Sequence, residues 1–392
     1  MSGPMTAESL AAFTEGVAEF ARTRVAPRAA GMDAKAAYDP ELLTELRDAG
    51  LLGIEVPEHY GGLGGGLRHT LAAIEELAVV DPSVAVLVDV QNALVAAALL
   101  RHGSRDQQRR WLPPLAAGTV AAFALSEDGA GSDAFAMTTR AEPVAGGYRI
   151  DGAKAWITSA AEAGLFLVCA RTGGALTLFL VSADTPGLRV GPRVDTLGVR
   201  ASSTCPVWFD GVVVPEQDVL GGPGHGAELV MAVLDIGKLG IAAQQVGLAR
   251  GALDHALRHA ATRRQFGRPI GAFQGVRFPL ARAAVEIDAA SALLGQAVDA
   301  VERGVDPTAR MRACAGAKLF CAEVAERTAT LAVDVLGGLG YTADSPVARL
   351  HRDAKVGGIY EGTTNIQLRT VAATLLAVPE AAGRDEEGNP GR

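Results

Sequence analysis

Four short segments carry side chains whose types and spacing suit chemistry. The first is Ser126-Glu-Asp-Gly-Ala-Gly-Ser-Asp133, where small residues at 129–132 let the backbone turn tightly and point amides and hydroxyls at an anion or at the polar edge of a ring. An ordinary Gly-rich turn would read the same way, and the spacing is not that of a G-x-G-x-x-G dinucleotide fingerprint. The second, Lys154-Ala-Trp-Ile-Thr-Ser159, offers either a core Trp or a flat indole wall with a hydroxyl donor for a heteroaromatic cofactor. The third, Arg263-Arg-Gln-Phe-Gly267 followed by Gln274, sets an Arg and a Phe at a helix end. Those residues are either solvated charges beside a packed Phe or a diphosphate contact with a stacking surface.

The fourth segment runs from Arg352-Asp-Ala-Lys to Thr363-Thr-Asn365. Gly357 and Gly358 release the chain from a helix, and Thr363 or Thr364 caps the next one. Glu361 then falls between Tyr360 and Gly362 on a short loop with few polar neighbours. A carboxylate in an apolar loop has its pKa raised by desolvation, which is how a general base for carbon acids is prepared. Taken alone, a capping or surface Glu is the plainer reading.

These segments need elements to hold them. Residues 1–118 read as helices: Thr6 caps a stretch with Leu10, Phe13, Val17 and Phe20 at helical spacing, and Pro40 opens a helix that ends at Gly50. After a loop at 57–66, helices resume at about 67–80, 82–101 and 105–116. From Thr119 to about 220 the apolar runs shorten to 120–125, 148–150, 154–158, 165–170, 176–181 and 207–214, the texture of a small β-domain. Gly221-Gly222-Pro223-Gly224 reads as a linker, and long helices follow at 227–262, 273–303 and 308–336, the last stopped by Gly337-Gly338. The expected division is 1–118 helical, 119–222 β and 223–377 helical, with 378–392 a disordered tail.

Bulk composition narrows the function classes. With 49% hydrophobic and 20% charged residues, 392 residues supply several packed domains and no disorder signature. A net charge of -8 argues against nucleic acid as a partner. Cys169, Cys205, Cys314 and Cys321 form no C-x-x-C pair, so they read as buried reduced thiols and no metal site is expected. Polar residues interrupt the apolar runs before they reach bilayer length, and Glu8, Glu15 and Glu19 sit where a signal peptide or presequence would not carry them. No membrane association is expected, and the cytoplasm is the default location.

Taken together and in order, the segments resemble the acyl-CoA dehydrogenase family over about residues 8–376. Tyr60-Gly-Gly-Leu-Gly64, Ser126–Asp133, Ala155-Trp-Ile-Thr158, Arg263-Arg-Gln-Phe-Gly267, Gly337-Gly-Leu-Gly-Tyr341, Arg352-Asp-Ala-Lys355 and Ile359-Tyr-Glu-Gly-Thr363 carry the resemblance. The chain looks most like the short/branched-chain (2-methylacyl-CoA) members, through Leu125-Ser-Glu127, the stretch 159–168 and Leu197–Pro206. The resemblance implies a mainly α, α+β fold: an N-terminal helical domain, a central β-domain and a C-terminal four-helix bundle, assembled as a homotetramer. It also implies FAD between the last two domains, with a neighbouring subunit completing the site.

By the same resemblance, Leu125 and Ser126 face the flavin pyrimidine edge, Trp156 and Thr158 flank the isoalloxazine, and Ser132 lies between diphosphate and pantetheine. Arg263, Phe266, Gln274, Gly337 and Gly338 match contacts that a partner subunit makes with FAD, and Thr363 and Asn365 lie beside the adenosine end. Glu361 matches the catalytic base; relatives that carry the base elsewhere place it near Leu239 or Gly240, where this chain has no carboxylate. Asp235, Lys238, Tyr360 and Gly362 join Ser132 as substrate-binding positions. Lys238 replaces a usual Arg, Asp334 replaces a Gln that commonly reaches the diphosphate, and Asp128 replaces a Pro or Ala. A Lys is a point charge and not a bidentate fork.

The implied reaction is α,β-desaturation of a short or branched acyl-CoA. Glu361 takes the α-proton, flavin N5 accepts the β-hydride and an electron-transfer flavoprotein removes the electrons. The backbone N–H of Glu361 and a ribityl hydroxyl are the implied donors to the thioester oxygen. The acyl preference is expected to lie with helix 84–101, particularly Val88 to Leu94, and with the loop 234–239. An acyl-carrier-protein thioester dehydrogenase is the alternative, and a non-catalytic flavin-bearing DNA-associated scaffold a remote one.

Overall fold

The computed structural model describes residues 7–376. The N-terminal region contains α1 (Ala7–Phe20), α2 (Ala26–Lys35), α3 (Pro40–Asp48), α4 (Leu67–Ala78), α5 (Pro82–Asp89), α6 (Ala97–His102) and α7 (Arg105–Ala116). Two π-helical segments, Ala21–Val25 and Val90–Ala96, join α1 to α2 and α5 to α6. Helix starts follow the local chemistry. Asp39 accepts from the Glu41 and Leu42 amides ahead of Pro40, Asp81 does the same for Ser83 and Val84 ahead of Pro82, and Ser104 and Gln107 cap α7 reciprocally. Thr6, expected to cap α1, lies outside the described residues, as does the expected tail at 378–392.

One expectation needs correcting. Pro82–His102 is long and apolar enough, by length and composition, to cross a bilayer, so polar residues do not break every apolar run. It is a core helix: 94% of its apolar window is buried inside the fold.

The central sheet has β1 (Val120–Ala124), β2 (Arg140–Val144), β3 (Gly147–Ile157), β4 (Ala163–Thr172), β5 (Ala175–Ser182), β6 (Leu188–Val190), β7 (Cys205–Pro215) and β8 (Val219–Leu220). Their order is β6-β7-β3-β2-β4-β5-β8, with β1 also pairing parallel to β4. Period-two alternation buries both faces of β4. Leu165, Leu167 and Cys169 face a core shared with α5 to α7, and Phe166, Val168 and Ala170 face the opposite core. The runs at 148–150 and 154–158 belong to a single strand, β3. Its pairing with β7 is irregular between Ile150 and Gly152 and again between Lys154 and Ile157.

The C-terminal region holds α8 (Gly226–Thr262), the hairpin β9 (Arg264–Gln265) and β10 (Arg268–Pro269), α9 (Gln274–Glu302), α10 (Pro307–Leu336), α11 (Pro346–Ala354) and α12 (Thr364–Leu375). Residues 234–239, expected as a loop, lie within α8. All four cysteines are free and buried, and burial pushes the Cys314 and Cys321 thiols up to about 12.

One apolar core joins α1, α3, α4 and α5 to α8, α9 and α10. It depends on a glycine seam in α8: a Cβ at Gly247 would collide with the Glu75 carbonyl oxygen of α4, and one at Gly251 with that of Val79. Gly247→Val is expected to destabilise the fold by roughly 3 kcal/mol through forced separation of the two helices. Chemical denaturation compared with wild type checks this, and an unchanged midpoint would contradict the close approach.

Candidate active site

The chain leaves α11 through a 3-10 turn at Lys355–Gly358, and a Cβ at Gly357 would stand 2.4 Å from Gln245 Oε1 and 2.5 Å from its Cδ, so the turn packs closely on that side chain. That approach seats Tyr360, whose hydroxyl donates to Gln244 Oε1. Glu361 then adopts φ 50°, a left-handed conformation that costs a non-glycine residue roughly 1–2 kcal/mol, and Gly362 follows at φ 91°. The surroundings hold this strain in place. Gln367 Nε2 donates to the carbonyls of Glu361 and Gly362, both at 2.9 Å, and buried Lys318 Nζ donates to Gly362 O at 2.7 Å. Thr363 caps α12 through Ile366 N, as its sequence position suggests.

The Glu361 side chain lies over a notch in α8. A Cβ at Gly237 would stand 2.7 Å from Glu361 Oε2 and 2.6 Å from Leu94 Cδ2. Oε2 is buried and has no hydrogen-bond partner among the described residues. Burial pushes the carboxyl up to about 7, against the pull of Lys238 and Lys318. Burial likewise brings the Lys318 ammonium down to about 8, partly offset by Glu361.

Lys238 and Asp235 are also brought here. Lys238 Nζ donates to Asp235 Oδ1 at 2.9 Å, and Arg310 Nε donates to the other oxygen at 3.0 Å. Both oxygens of Asp235 are thus engaged by cations. Arg310 and Lys318 were not singled out in the sequence. Lys318 did leave a signal, a charge within the apolar stripe Cys314, Ala317, Cys321 of α10.

A second group gathers around the end of β1. Ala155 N donates to Ser126 O at 2.9 Å, which sets Leu125 and Ser126 beside Trp156 and Thr158. Fully buried Lys154 locks this junction, donating to Leu125 O at 2.8 Å and to Glu127 Oε1 at 3.0 Å. Glu127 also accepts from Thr138 N, Thr138 Oγ1 and Thr139 N at 2.7–2.9 Å. Burial acts to raise its pKa, but these bonds and the Lys154 charge outweigh it and hold the carboxyl at about 2. Trp156 sits in the irregular stretch of β3 with φ 62° and 58% exposure, so the irregularity turns its indole outward. An uncovered indole flanked by the Thr158 hydroxyl and the Ser126 backbone suits the face of a flat heteroaromatic ring. Ser132 is exposed on the adjoining turn.

The remaining predicted residues are not brought together with these. Arg263 follows Lys238 by 25 positions along α8, roughly 38 Å of helix. Phe266 is 93% exposed at the tip of the β9–β10 hairpin, Gln274 is exposed at the start of α9, and Gly337 and Gly338 are exposed beyond the end of α10. Within one chain this set lies too far from Glu361 to share a pocket with it. Asn365, in the first turn of α12, is exposed.

Comparison with known proteins places the chain in a family. Residues 7–119 match the acyl-CoA dehydrogenase N-terminal domain, 122–212 the middle domain and 224–376 the C-terminal domain. The chain belongs to the acyl-CoA dehydrogenase family. It is accordingly an oxidoreductase and a flavoprotein whose cofactor is FAD. The enzyme is 43% identical over 368 residues to a probable short/branched chain specific acyl-CoA dehydrogenase of Dictyostelium discoideum, covering 92% of this chain and 88% of that one. It superposes on butyryl-CoA dehydrogenase from Megasphaera elsdenii with a TM-score of 0.91 at 35% identity, covering 96% and 100%. A glutaryl-CoA dehydrogenase from Mycobacterium smegmatis in complex with FADH2 gives a TM-score of 0.89 at 28% identity, covering 95% and 96%.

Proposed function

We propose that this enzyme desaturates short or branched-chain acyl-CoA thioesters to 2-enoyl-CoA, with Glu361 as the base that removes the α-proton. The observation that carries this reading is the Glu361 carboxyl: strained into place, unpartnered at Oε2, and raised to about 7 by burial. A thioester α-hydrogen is a weak acid, and a desolvated carboxylate with a pKa near the working pH is the base best suited to it. The named relative from Dictyostelium discoideum supports the short or branched acyl class.

Each group has a part. Bound FAD supplies the acceptor for the β-hydride. The backbone N–H of Glu361 serves the thioester oxygen, while Lys238, oriented by Asp235, and Lys318 offset the charge on the base. Leu125, Ser126, Trp156 and Thr158 form the flavin face, and Ser132 lies toward the diphosphate and pantetheine. Tyr360 and Gly362 border the acyl thioester, and Thr363 and Asn365 the adenosine end. Arg263, Phe266, Gln274, Gly337 and Gly338 serve the FAD of a second copy, consistent with their distance from Glu361 in one chain, and the assembly is a homotetramer. An electron-transfer flavoprotein is the oxidant, and the domains divide at 118 and 222.

Anaerobic bleaching of the FAD-loaded enzyme by butyryl-, isobutyryl-, 2-methylbutyryl-, isovaleryl- and octanoyl-CoA tests the reading. Bleaching is expected to be fastest with a short or branched ester. Absence of bleaching by every CoA ester in protein that retains FAD would overturn the substrate class and favour a carrier-protein thioester.

A further inference from the structure

A second buried carboxyl lies one turn of α8 along from the proposed base. Asp89 is buried, 1% exposed, and neither of its carboxylate oxygens has a hydrogen-bond partner among the described residues. It ends α5 where the helix widens into the π-helical segment Val90–Ala96. Such widened turns gather at functional sites, because the extra residue re-aims the side chains around it. Here the same segment brings Leu94 to the notch at Gly237.

The partner face is α8. A Cβ at Gly240 would overlap an Asp89 carboxylate oxygen outright, just as one at Gly237 would meet Glu361 Oε2. Positions 237 and 240 are three apart on one helix, so their Cβ sites lie roughly 5–6 Å from each other on the same face. Two unpartnered carboxyls therefore rest in adjacent glycine notches, one turn apart.

The charged and titratable groups facing them are few. Lys238 on α8 and Lys318 on α10 act on Glu361. Tyr360, on the loop, already donates to Gln244. The charge that bears on Asp89 is that of Glu361 itself.

We infer that Asp89 and Glu361 form a carboxyl pair that holds one proton in the working enzyme, with Asp89 the neutral acid and Glu361 the carboxylate. This rests on Glu361 being the base and adds a positioning residue, Asp89, that sets the pH range over which the base works. Two like charges in a dry site do not both ionise. Glu361 has two lysines to stabilise its charge and Asp89 has none, so Glu361 ionises first. Burial, reinforced by the Glu361 charge, keeps the Asp89 pKa well above the usual carboxylate range. Rising pH thus first switches the base on. At higher pH it ionises Asp89 beside it, and the second charge opposes an acyl chain and disrupts the loop.

Infrared difference spectra of the FAD-loaded enzyme against Asp89→Asn, recorded as pH rises, read the pair without any substrate. A protonated-carboxyl C=O band is expected to persist in wild type after Glu361 has ionised and to be missing from D89N. In Glu361→Gln the same band is expected to vanish at a pH lower by about one unit or more, because its charged neighbour is gone. This series reads the coupling with Asp89 unaltered, so it stands if D89N does not fold. In the pH profile of flavin bleaching, D89N is expected to keep the acid limb and lose the alkaline fall. A wild-type profile in D89N, an acid limb displaced downward, or a band with the same midpoint in E361Q would overturn the pair. Bleaching indifferent to E361Q would instead overturn Glu361 as base, and the infrared band would still report on the shared proton.

Discussion

Glu361→Gln lowers the rate of anaerobic flavin bleaching by the best acyl-CoA by on the order of 10²–10⁴-fold, the usual contribution of a positioned general base. The amide keeps the shape of the side chain in its notch at Gly237 and cannot accept the α-proton. In wild type the rate is expected to rise with pH through about 7, because the reacting form is the ionised carboxylate and burial holds its pKa there. A stability change of the opposite kind goes with it. A carboxyl whose folded pKa is raised stabilises the fold below its unfolded pKa, and that contribution is lost as pH rises through the folded value. At neutral pH the buried base therefore costs stability, and E361Q is expected to unfold later than wild type by roughly 2–3 kcal/mol. Stopped-flow bleaching and thermal denaturation check both halves. A variant that bleaches at the wild-type rate would remove Glu361 from the reaction.

Lys154→Met is expected to cost about 3–5 kcal/mol of stability and most of the bound flavin. The ammonium is fully buried and joins Leu125 O, at the edge of the flavin face, to Glu127. Removing it leaves a buried carboxylate without its counter-charge, which is far worse than never having built the pair. Burial pulls the Lys154 pKa down while the Thr138 and Thr139 bonds help hold Glu127 at about 2, so the stabilising term belongs to the carboxylate. A depressed carboxyl contributes stability above its unfolded pKa and loses it as pH falls through its folded one. Wild type is thus expected to weaken between about pH 4.5 and 2 from this source, while K154M starts weaker and depends less on acid. Denaturation midpoints across that range, with flavin retained after gel filtration, test it. Full flavin retention in K154M would show that the junction does not hold the flavin face.

The sequence revealed the parts whose signal is local. Helical spacing marked α4, α8, α9 and α10, and short apolar runs marked β4 and β5, while the loop around Glu361 was bracketed by glycines and a capping Thr but gained its catalytic reading from the family resemblance. Elements with weak local signals were missed. In β2 only Ala141 is buried within Arg-Ala-Glu-Pro-Val, and β6 and the β9–β10 hairpin are only two or three residues per strand. Three residues around Glu361 and Asp235 were missed for another reason. Asp89 on α5 and Arg310 and Lys318 on α10 are isolated polar residues, and their meaning depends on where α8 leaves room at Gly237 and Gly240. No spacing in the chain expresses that distance.

The segment just ahead of the base is fastened to all the earlier parts of the protein. Arg352 pairs with Asp33 and donates to Leu197 O, Asp353 accepts from Val199 N at 2.6 Å, and Arg349 pairs with Asp81. The Arg352–Asp33 and Arg349–Asp81 pairs join residues made early in synthesis to ones made much later. A growing polypeptide on the ribosome carries Asp33 and Asp81 for some 270–320 residues before Arg349 and Arg352 exist to meet them. Until then those two acids lack these guanidinium partners. Both pairs are completed only with the stretch that leads to Glu361. A chain that stalls short of it has neither the base nor these two ion pairs.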